Sequence, residues 1–411
     1  MRFLYLPLAL ALCTLARLGA AQVAPTTTDG SAPASAVAPP APGLTDNGPK
    51  KKSIFAPSDK PSFIPVPIAF YQQETGFAAG AAILPVWRFG TDTTVRKSNA
   101  RLIAWYSQEK QSTIQLTHTI FTPGEGFFIS GELSRYDQKL FYYGIGNDNS
   151  RNAESELKYK LFIFDERALK RVAPNLFAGL RYRFTNTTDI EPEGNADNGG
   201  VNSFLVDPRL DGRERNDTRI SGLGPALLYD GRDNVLATYR GAFVDAHVLF
   251  NGGGLGSDYK FTRYQLDARY FKPLTSSNNT ILALQYLTQL HTGDVPFREL
   301  GGLGANLGGA LYNNAGLMRG LYETRFRDRQ MMTFQAEIRQ KLFWRIDGVV
   351  FGAVGQVGYK VNDYTFDQTR LAGGGGFRFR FNRRDRLNIR LDYAGGTDTP
   401  PSIYFAVGEA F

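Results

Sequence analysis

The residues best suited to metal binding or acid–base chemistry are few and widely separated in this sequence. The three histidines are His118, His247 and His291, and none has a second histidine one helical turn away or a cysteine nearby. A metal site needs three or four clustered ligands, so we expect no metal and no cofactor. The only cysteine, Cys13, lies near the amino terminus.

Two further patterns could indicate catalysis. The glycine-rich stretch 302–308 has spacing like that of a nucleotide-binding loop, but no strand and helix frame it, as that motif requires. The Gly-x-Ser-x-Gly elbow of serine hydrolases is absent from the sequence. We therefore expect a flexible loop at 302–308 and no enzymatic activity.

The basic balance of the chain does not indicate nucleic-acid binding. The 47 Lys and Arg residues exceed the 39 Asp and Glu residues and give a formal net charge of +8. A nucleic-acid-binding surface needs a basic patch or stripe, whereas these charges are interleaved along the chain. The one basic cluster is 50–52, in a linker. No nucleic-acid partner is expected.

The composition favours a β-barrel in a membrane. The 411 residues include 44 Gly, 20 Tyr and 30 Phe, and a mean hydropathy of −0.28 excludes a bundle of membrane-spanning helices. Many glycines and aromatic residues with modest hydropathy are typical of strands that are apolar on one face only.

The amino-terminal region predicts export. Residues 1–21 have a basic start, a short apolar run and a small-residue end, as in a secretory signal peptide. Residues 22–62 are rich in Pro and Ala without apolar periodicity, which predicts a disordered tether. The barrel is expected over 63–411.

From about residue 64 apolar and polar residues alternate with period two. In 331–343, Phe334 and Ile338 share one face, while Gln335, Glu337 and Arg339 share the other. We expect lipid against the apolar face and a polar lumen inside. The same alternation assigns four arginines to the lumen: Arg339, Arg378, Arg380 and Arg390.

Connections alternate between short and long, which is typical of barrels with tight periplasmic turns and long outer loops. The short turns are expected at 122–125, 165–172, 230–239 and 273–279. The long loops are expected at 137–153, 187–217, 251–258 and 291–330. This division predicts an all-β, antiparallel barrel of about 16 strands with both ends in the periplasm. The last strand is expected at 402–411, with a C-terminal signal of Phe405, Val407 and Phe411.

Several stretches in the expected order resemble one known family. They are Pro65-Val66-Pro67 with Glu74-Thr75-Gly76, Tyr143-Gly144-Ile145-Gly146-Asn147, Tyr229-Asp230-Gly231-Arg232-Asp233-Asn234, Met318-Arg319-Gly320-Leu321-Tyr322 before Glu337-Ile338-Arg339, and Leu391-Asp392-Tyr393-Ala394. Over about 63–411 the chain resembles the bacterial surface antigen superfamily, the outer-membrane barrels of the BamA and TamA type related to two-partner secretion transporters. The resemblance implies a bacterial outer-membrane location and contact with outer-membrane lipid.

The resemblance also implies a loop lock before the last five strands, made by Arg319, Gly320, Tyr322 and Glu337. In this family the loop folds into the barrel and its arginine pairs with acids on the lumen wall. A buried guanidinium needs such carboxylates, and its planar fork suits them. The family's second acid is replaced here by Ala353. Either the lock is weaker, or another lumen acid completes it.

Two functions are considered. The first is outer-membrane protein assembly or polypeptide translocation, in which Pro65 and Pro67 weaken a seam where a client strand pairs, although they equally fit a plain strand start. Family members of this kind carry periplasmic POTRA domains, which we expect this chain to lack, so a periplasmic accessory protein would have to present the polypeptide client. The alternative is a passive or gated channel for small solutes with the Arg319 loop as plug.

Overall fold

The structure, a computed structural model, describes residues 61–72, 75–90, 92, 95–147, 155–193, 201–304, 316–322, 325–383 and 386–411. The predicted signal peptide and all but the last two residues of the predicted tether lie outside these residues, as do residues 305–308 of the glycine-rich stretch.

Sixteen long strands form a single antiparallel sheet in which each strand pairs with its neighbour along the chain. The long strands are β1 Ser62–Gln72, β2 Gly76–Trp87, β3 Ser98–Ser107, β4 Ser112–Phe121, β5 Phe127–Tyr142, β6 Ser155–Ala173, β7 Leu176–Glu193, β8 Thr218–Asp230, β9 Gly241–Asn251, β10 Phe261–Pro273, β11 Thr280–Gly293, β14 Gln330–Phe343, β15 Ile346–Gly358, β16 Arg370–Asn382, β17 Leu387–Gly396 and β18 Thr399–Val407. The predicted all-β, antiparallel architecture of about 16 strands is confirmed.

The remaining elements are short and lie in the connections. Two strands of two residues each, β12 Gly301–Gly302 and β13 Arg327–Asp328, pair with each other in the connection between β11 and β14. The helical turns are Pro123–Glu125, Ser203–Val206, Gly212–Arg215, Gly253–Leu255, Phe297–Glu299, Val361–Asp363 and Phe366–Gln368. No helix in the described part of the chain is both long and apolar enough to cross a membrane.

Strand β14 shows how the period-two pattern distributes its side chains. Phe334 and Ile338 are 44% and 43% exposed, whereas Gln335 and Glu337 are 3% and 0% exposed. The apolar face of the sheet is therefore the outer one and the polar face is buried. This inverts the arrangement of a soluble sheet and is the arrangement expected in lipid.

The two edge strands meet without pairing. Cα atoms of β1 and β18 come within 8 Å of each other, yet among the described residues no hydrogen-bonded ladder joins these strands. Pro65 and Pro67 lie in β1, and Pro400 and Pro401 lie at the start of β18. The sheet thus curls into a barrel with one unpaired seam.

Some predicted boundaries are wrong. Residues 165–172 do not form a turn: β6 continues to Ala173, because the charged Asp165 and Arg167 lie on the buried polar face of a strand. Likewise β5 runs to Tyr142 and β7 to Glu193, into stretches expected as loops. The last strand ends at Val407 rather than at residue 411.

Candidate functional site

The segment 316–322 lies in the long connection between β11 and β14 and carries Arg319 inward. A tight turn forms where the Leu321 amide donates to the Met318 carbonyl at 3.2 Å. Gly320 has a φ of 111°, and a Cβ at this position would lie 2.4 Å from the Gly395 carbonyl oxygen. Only glycine therefore fits where the turn touches β17. The Gly320 amide also donates to the Tyr404 hydroxyl at 3.0 Å.

Arg319 is enclosed by two acids and one aromatic ring. Its Nη2 donates to Glu337 Oε1, and its Nη1 donates to Asp392 Oδ2. The guanidinium carbon lies 3.6 Å from the centre of the Phe351 ring. The Arg319 side chain is 1% exposed, and both carboxylates are 0% exposed. Charge-assisted hydrogen bonds of this kind are among the strongest in a protein.

The strands bring these groups together across the sheet. Glu337 lies on β14 and Asp392 on β17, with β15 and β16 between them. Phe351 pairs with Glu337 on the neighbouring strand, and Gly376 of β16 pairs with Asp392. A Cβ at Gly376 would lie 2.2 Å from Asp392 Oδ1. A glycine on β16 therefore leaves room for the second carboxylate.

Ala353 lies on β15 at the position where the family has an aspartate. It is part of an apolar cluster of buried side chains. The cluster contains Leu303, Leu317, Met318, Leu321 and Phe326, together with Leu287, Met331, Val357 and Ala372. Asp392 alternates with Leu391 and Tyr393 along its strand, but nothing in the sequence indicated that it would reach Arg319.

Three of the four predicted lumen arginines gather around the same carboxylates. Arg339 Nε donates to Glu337 Oε2 at 2.9 Å, Arg378 Nη1 donates to Asp392 Oδ1 at 2.5 Å, and Arg390 Nε lies 3.6 Å from Asp392 Oδ2. Together with Glu409, which contacts two of these arginines, they form what we call the Arg319 cluster: Arg319, Arg339, Arg378, Arg390, Glu337, Asp392 and Glu409.

Glu409 had no predicted role, whereas Arg380 was predicted as a lumen arginine. Glu409 accepts a hydrogen bond from Arg378 Nε at 2.9 Å and lies 3.8 Å from Arg339. Arg380 stands apart from the cluster, because it pairs with Asp347 at 2.6 Å and is 21% exposed.

Tyr322 and the C-terminal residues complete the predicted set. The Tyr322 ring stacks on Tyr143 of the β5–β6 connection, with ring centres 6.2 Å apart and planes 4° from parallel. Phe405 and Val407 lie in β18, whereas Phe411 lies four residues beyond it and packs against Phe271. The Phe411 main-chain oxygen accepts a hydrogen bond from Arg339 at 3.1 Å.

The histidines contact charged neighbours rather than one another. His118 lies 3.0 Å from Glu166, His247 lies 3.1 Å from Arg181, and His291 lies 3.2 Å from Arg263. Within the described ranges no group of three or more His, Cys, Asp or Glu side chains is placed to hold a metal ion.

An antiparallel sheet of 16 long strands, curled so that its polar face is buried and its apolar face is exposed, is the architecture of membrane β-barrels. The family model of the Omp85 superfamily domain matches residues 99–411. The chain therefore belongs to the Omp85 superfamily, whose members are β-barrels of the bacterial outer membrane, and the predicted family and location are confirmed.

Solved structures are similar to the chain in fold. CdiB from Escherichia coli has a TM-score of 0.52 at 9% identity, over 84% of this chain and 62% of that chain. CdiB from Acinetobacter baumannii has a TM-score of 0.51 at 10% identity, over 84% of this chain and 58% of that chain. The chain thus spans about three fifths of the CdiB chains.

A BamA from Haemophilus ducreyi lacking POTRA domains 1–3 aligns with a TM-score of 0.49 and 15% identity, over 85% of this chain and 69% of that chain. The comparison with curated proteins found no match.

Proposed function

We propose that this barrel inserts or translocates polypeptides at the outer membrane, through the seam between β1 and β18. The observation that carries the proposal is that these two edges approach within 8 Å without pairing in the described residues. Unpaired edges can accept a further strand by main-chain hydrogen bonding. Membership of the superfamily supports the same function.

Proline chemistry would restrict pairing at this seam. Pro65 and Pro67 have no amide hydrogen to donate. Because they are two residues apart in β1, their main-chain groups point to the same edge of the strand. Prolines belong on the side of an edge strand that faces away from its ladder. In the proposed mechanism they keep β18 from closing on β1 and leave the seam open to a client polypeptide.

The Arg319 cluster would hold the loop inside the barrel during this exchange. It joins the loop to β14 and β17, and β17 pairs directly with the seam strand β18. Movement of β18 would therefore reach Asp392 through one ladder. A periplasmic accessory protein that delivers the client belongs to the same proposal. No observation favours the alternative of a channel for small solutes.

The test is to cross-link the seam. Ile68→Cys in β1 and Val407→Cys in β18, which pack against the same apolar cluster, would be joined by a short bismaleimide in the full chain carrying Cys13→Ser. The matched control joins Val248→Cys and Tyr264→Cys, which already face each other on β9 and β10. Insertion of an unfolded outer-membrane protein into vesicles would be followed by its protection from protease.

We expect the seam cross-link to abolish insertion and the control cross-link to leave it unchanged. Equal activity in both would contradict the proposal. An ion current through vesicles without client, unaffected by the seam cross-link, would support the solute channel instead.

A further inference from the structure

The connection that carries Arg319 has a second charged side chain buried against the barrel wall. Glu299 closes the helical turn Phe297–Glu299, shortly after β11, and is 3% exposed. Its carboxylate accepts hydrogen bonds from Arg183 Nη1 at 2.8 and 2.9 Å, from Thr185 at 3.1 Å, and from Arg263 Nη2. Its carbonyl oxygen accepts from Arg263 Nη2 at 3.1 Å and from Gln289 at 3.3 Å.

These partners belong to a different part of the wall from those of Arg319. Arg183 is on β7 and Arg263 on β10, whereas Glu337 and Asp392 are on β14 and β17. The charges are also reversed, because one loop carboxylate lies between two wall guanidiniums. The pKa of Glu299 is lowered: burial alone would raise it, but Arg183 and Arg263 outweigh burial. The carboxylate is therefore ionised at neutral pH.

The two charged residues are linked through described contacts. Two residues after Glu299, Gly301 and Gly302 pair with Asp328 and Arg327. The next residue, Leu303, donates its amide to the Phe326 carbonyl at 2.8 Å. Leu303 and Phe326 belong to the same apolar cluster as Leu317, Met318 and Leu321, the neighbours of Arg319. A shift at Glu299 would thus be transmitted to Arg319 through packed groups.

We propose that Glu299 is a positioning residue, a second anchor of opposite charge that holds the loop so that Arg319 meets Glu337 and Asp392. Arg183 and Arg263 are its receptor on the wall. The inference deepens the proposed function, on which it rests for its role in client insertion. The anchor itself does not depend on that function, since it is a statement about the position of the loop.

The test measures access to the loop. Leu321→Cys, two residues after Arg319 and 3% exposed in the parent, would be labelled with a water-soluble maleimide in the folded full chain carrying Cys13→Ser. The labelling rate would be compared with the rates after adding Glu299→Gln, Glu299→Asp or Arg183→Gln. The matched control is Glu132→Gln, which removes a buried carboxylate of β5 that accepts hydrogen bonds from Gln115, Ser134 and Tyr136.

We expect Glu299→Gln to raise the labelling rate by on the order of tenfold or more, because it leaves Arg263 buried without its carboxylate. Arg183→Gln should raise the rate less, because Glu299 then keeps Arg263 as a partner. Glu299→Asp, which keeps the charge, should stay within about threefold of the parent, and Glu132→Gln should not change it. Folding of each variant would be checked by heat-dependent gel migration. If Glu299→Gln fails to fold, Arg183→Gln tests the same contact by changing the partner on β7.

An unchanged rate in the folded anchor variants would overturn the anchor, whatever their insertion activity. Faster labelling in the Glu132→Gln control would also overturn it, since the effect would then be general. Faster labelling confined to the anchor variants, with client insertion intact, would support the anchor and count against the proposed function.

Discussion

The connection between β11 and β14 is held at two points, by Glu299 between wall arginines and by Arg319 between wall carboxylates. The two points differ in whether the wall charges keep a partner when the charge on the connection is removed. Without Arg319, Glu337 still pairs with Arg339, and Asp392 still pairs with Arg378. Without Glu299, Arg263 keeps no carboxylate within ion-pair distance among the described residues. A buried charge without a partner is far more costly than a lost pair whose members keep others. We therefore expect Glu299 to contribute more to stability than Arg319. Arg319 can leave its site without leaving a buried charge unpaired.

The largest effect is expected for Glu299→Gln. The change leaves Arg263 buried beside His291 and without its carboxylate, so the free energy of unfolding should fall by about 3–5 kcal/mol. Denaturant titration of the full chain in lipid vesicles would measure it. A loss no greater than that of Arg319→Ala would break the comparison.

Arg319→Ala should have a smaller effect on stability and a large effect on insertion. The wall carboxylates keep their arginines, so a loss of about 1–3 kcal/mol is expected from the lost hydrogen bonds and ring contact. Arg380→Ala is the matched control, because its pair with Asp347 is partly exposed and should contribute at most about 1 kcal/mol. Equal insertion activity in the two variants would remove the role of Arg319.

Ala353→Asp would sharpen the comparison by restoring the acid of the resembling family. In this chain Asp392 already fills that electrostatic role, and Ala353 lies among Leu303, Leu317 and Met318. A carboxylate there should destabilise the barrel by about 1–3 kcal/mol, because it would be buried in an apolar cluster. If Ala353→Asp instead stabilised the protein, the assignment of Asp392 as the second acid would be in error.

The sequence predicted more of the Arg319 cluster than of the contacts around Glu299. Period-two alternation placed Glu337 and Arg339 on one face, and the resemblance singled out Arg319. Asp392 alternates with apolar neighbours, but its approach to Arg319 depends on Gly376 of the adjacent strand, which has no side chain, and alternation does not describe this. Glu299 gave no signal, because a single glutamate in a loop has no periodic context. Residues 165–172 were wrongly predicted as a turn, because charged residues that face the lumen resemble the charged residues of a turn.

The smallest effect is expected from a change of pH, which acts through Glu214, a glutamate whose carboxylate contacts the helical turn that ends at Glu299. Burial, reinforced by Asp211 and Asp294, raises the pKa of Glu214 to about 7, and its carboxylate accepts from the Phe297 amide at 2.6 Å. A raised folded pKa gives stability that is present below the ordinary value of about 4.5 and is lost as pH rises through about 7. The lowered pKa of Glu299 has the opposite sense, with stability lost only as pH falls.

We therefore expect labelling of Leu321→Cys, corrected for the intrinsic pH dependence of thiol reactivity, to increase slightly between pH 5 and about 8. Glu214→Gln should abolish that slope and leave Glu299 unaffected. A slope that survives this substitution would assign the pH dependence to another group.

The most direct test of the account is the coupling between Arg319 and Asp392, measured by the free energies of unfolding of Arg319→Ala, Asp392→Ala and the double variant in vesicles. We expect the double variant to lose at least about 1 kcal/mol less than the sum of the single losses, because one interaction is removed twice in that sum. Losses that add to within about 0.5 kcal/mol would mean that Asp392 does not hold the loop.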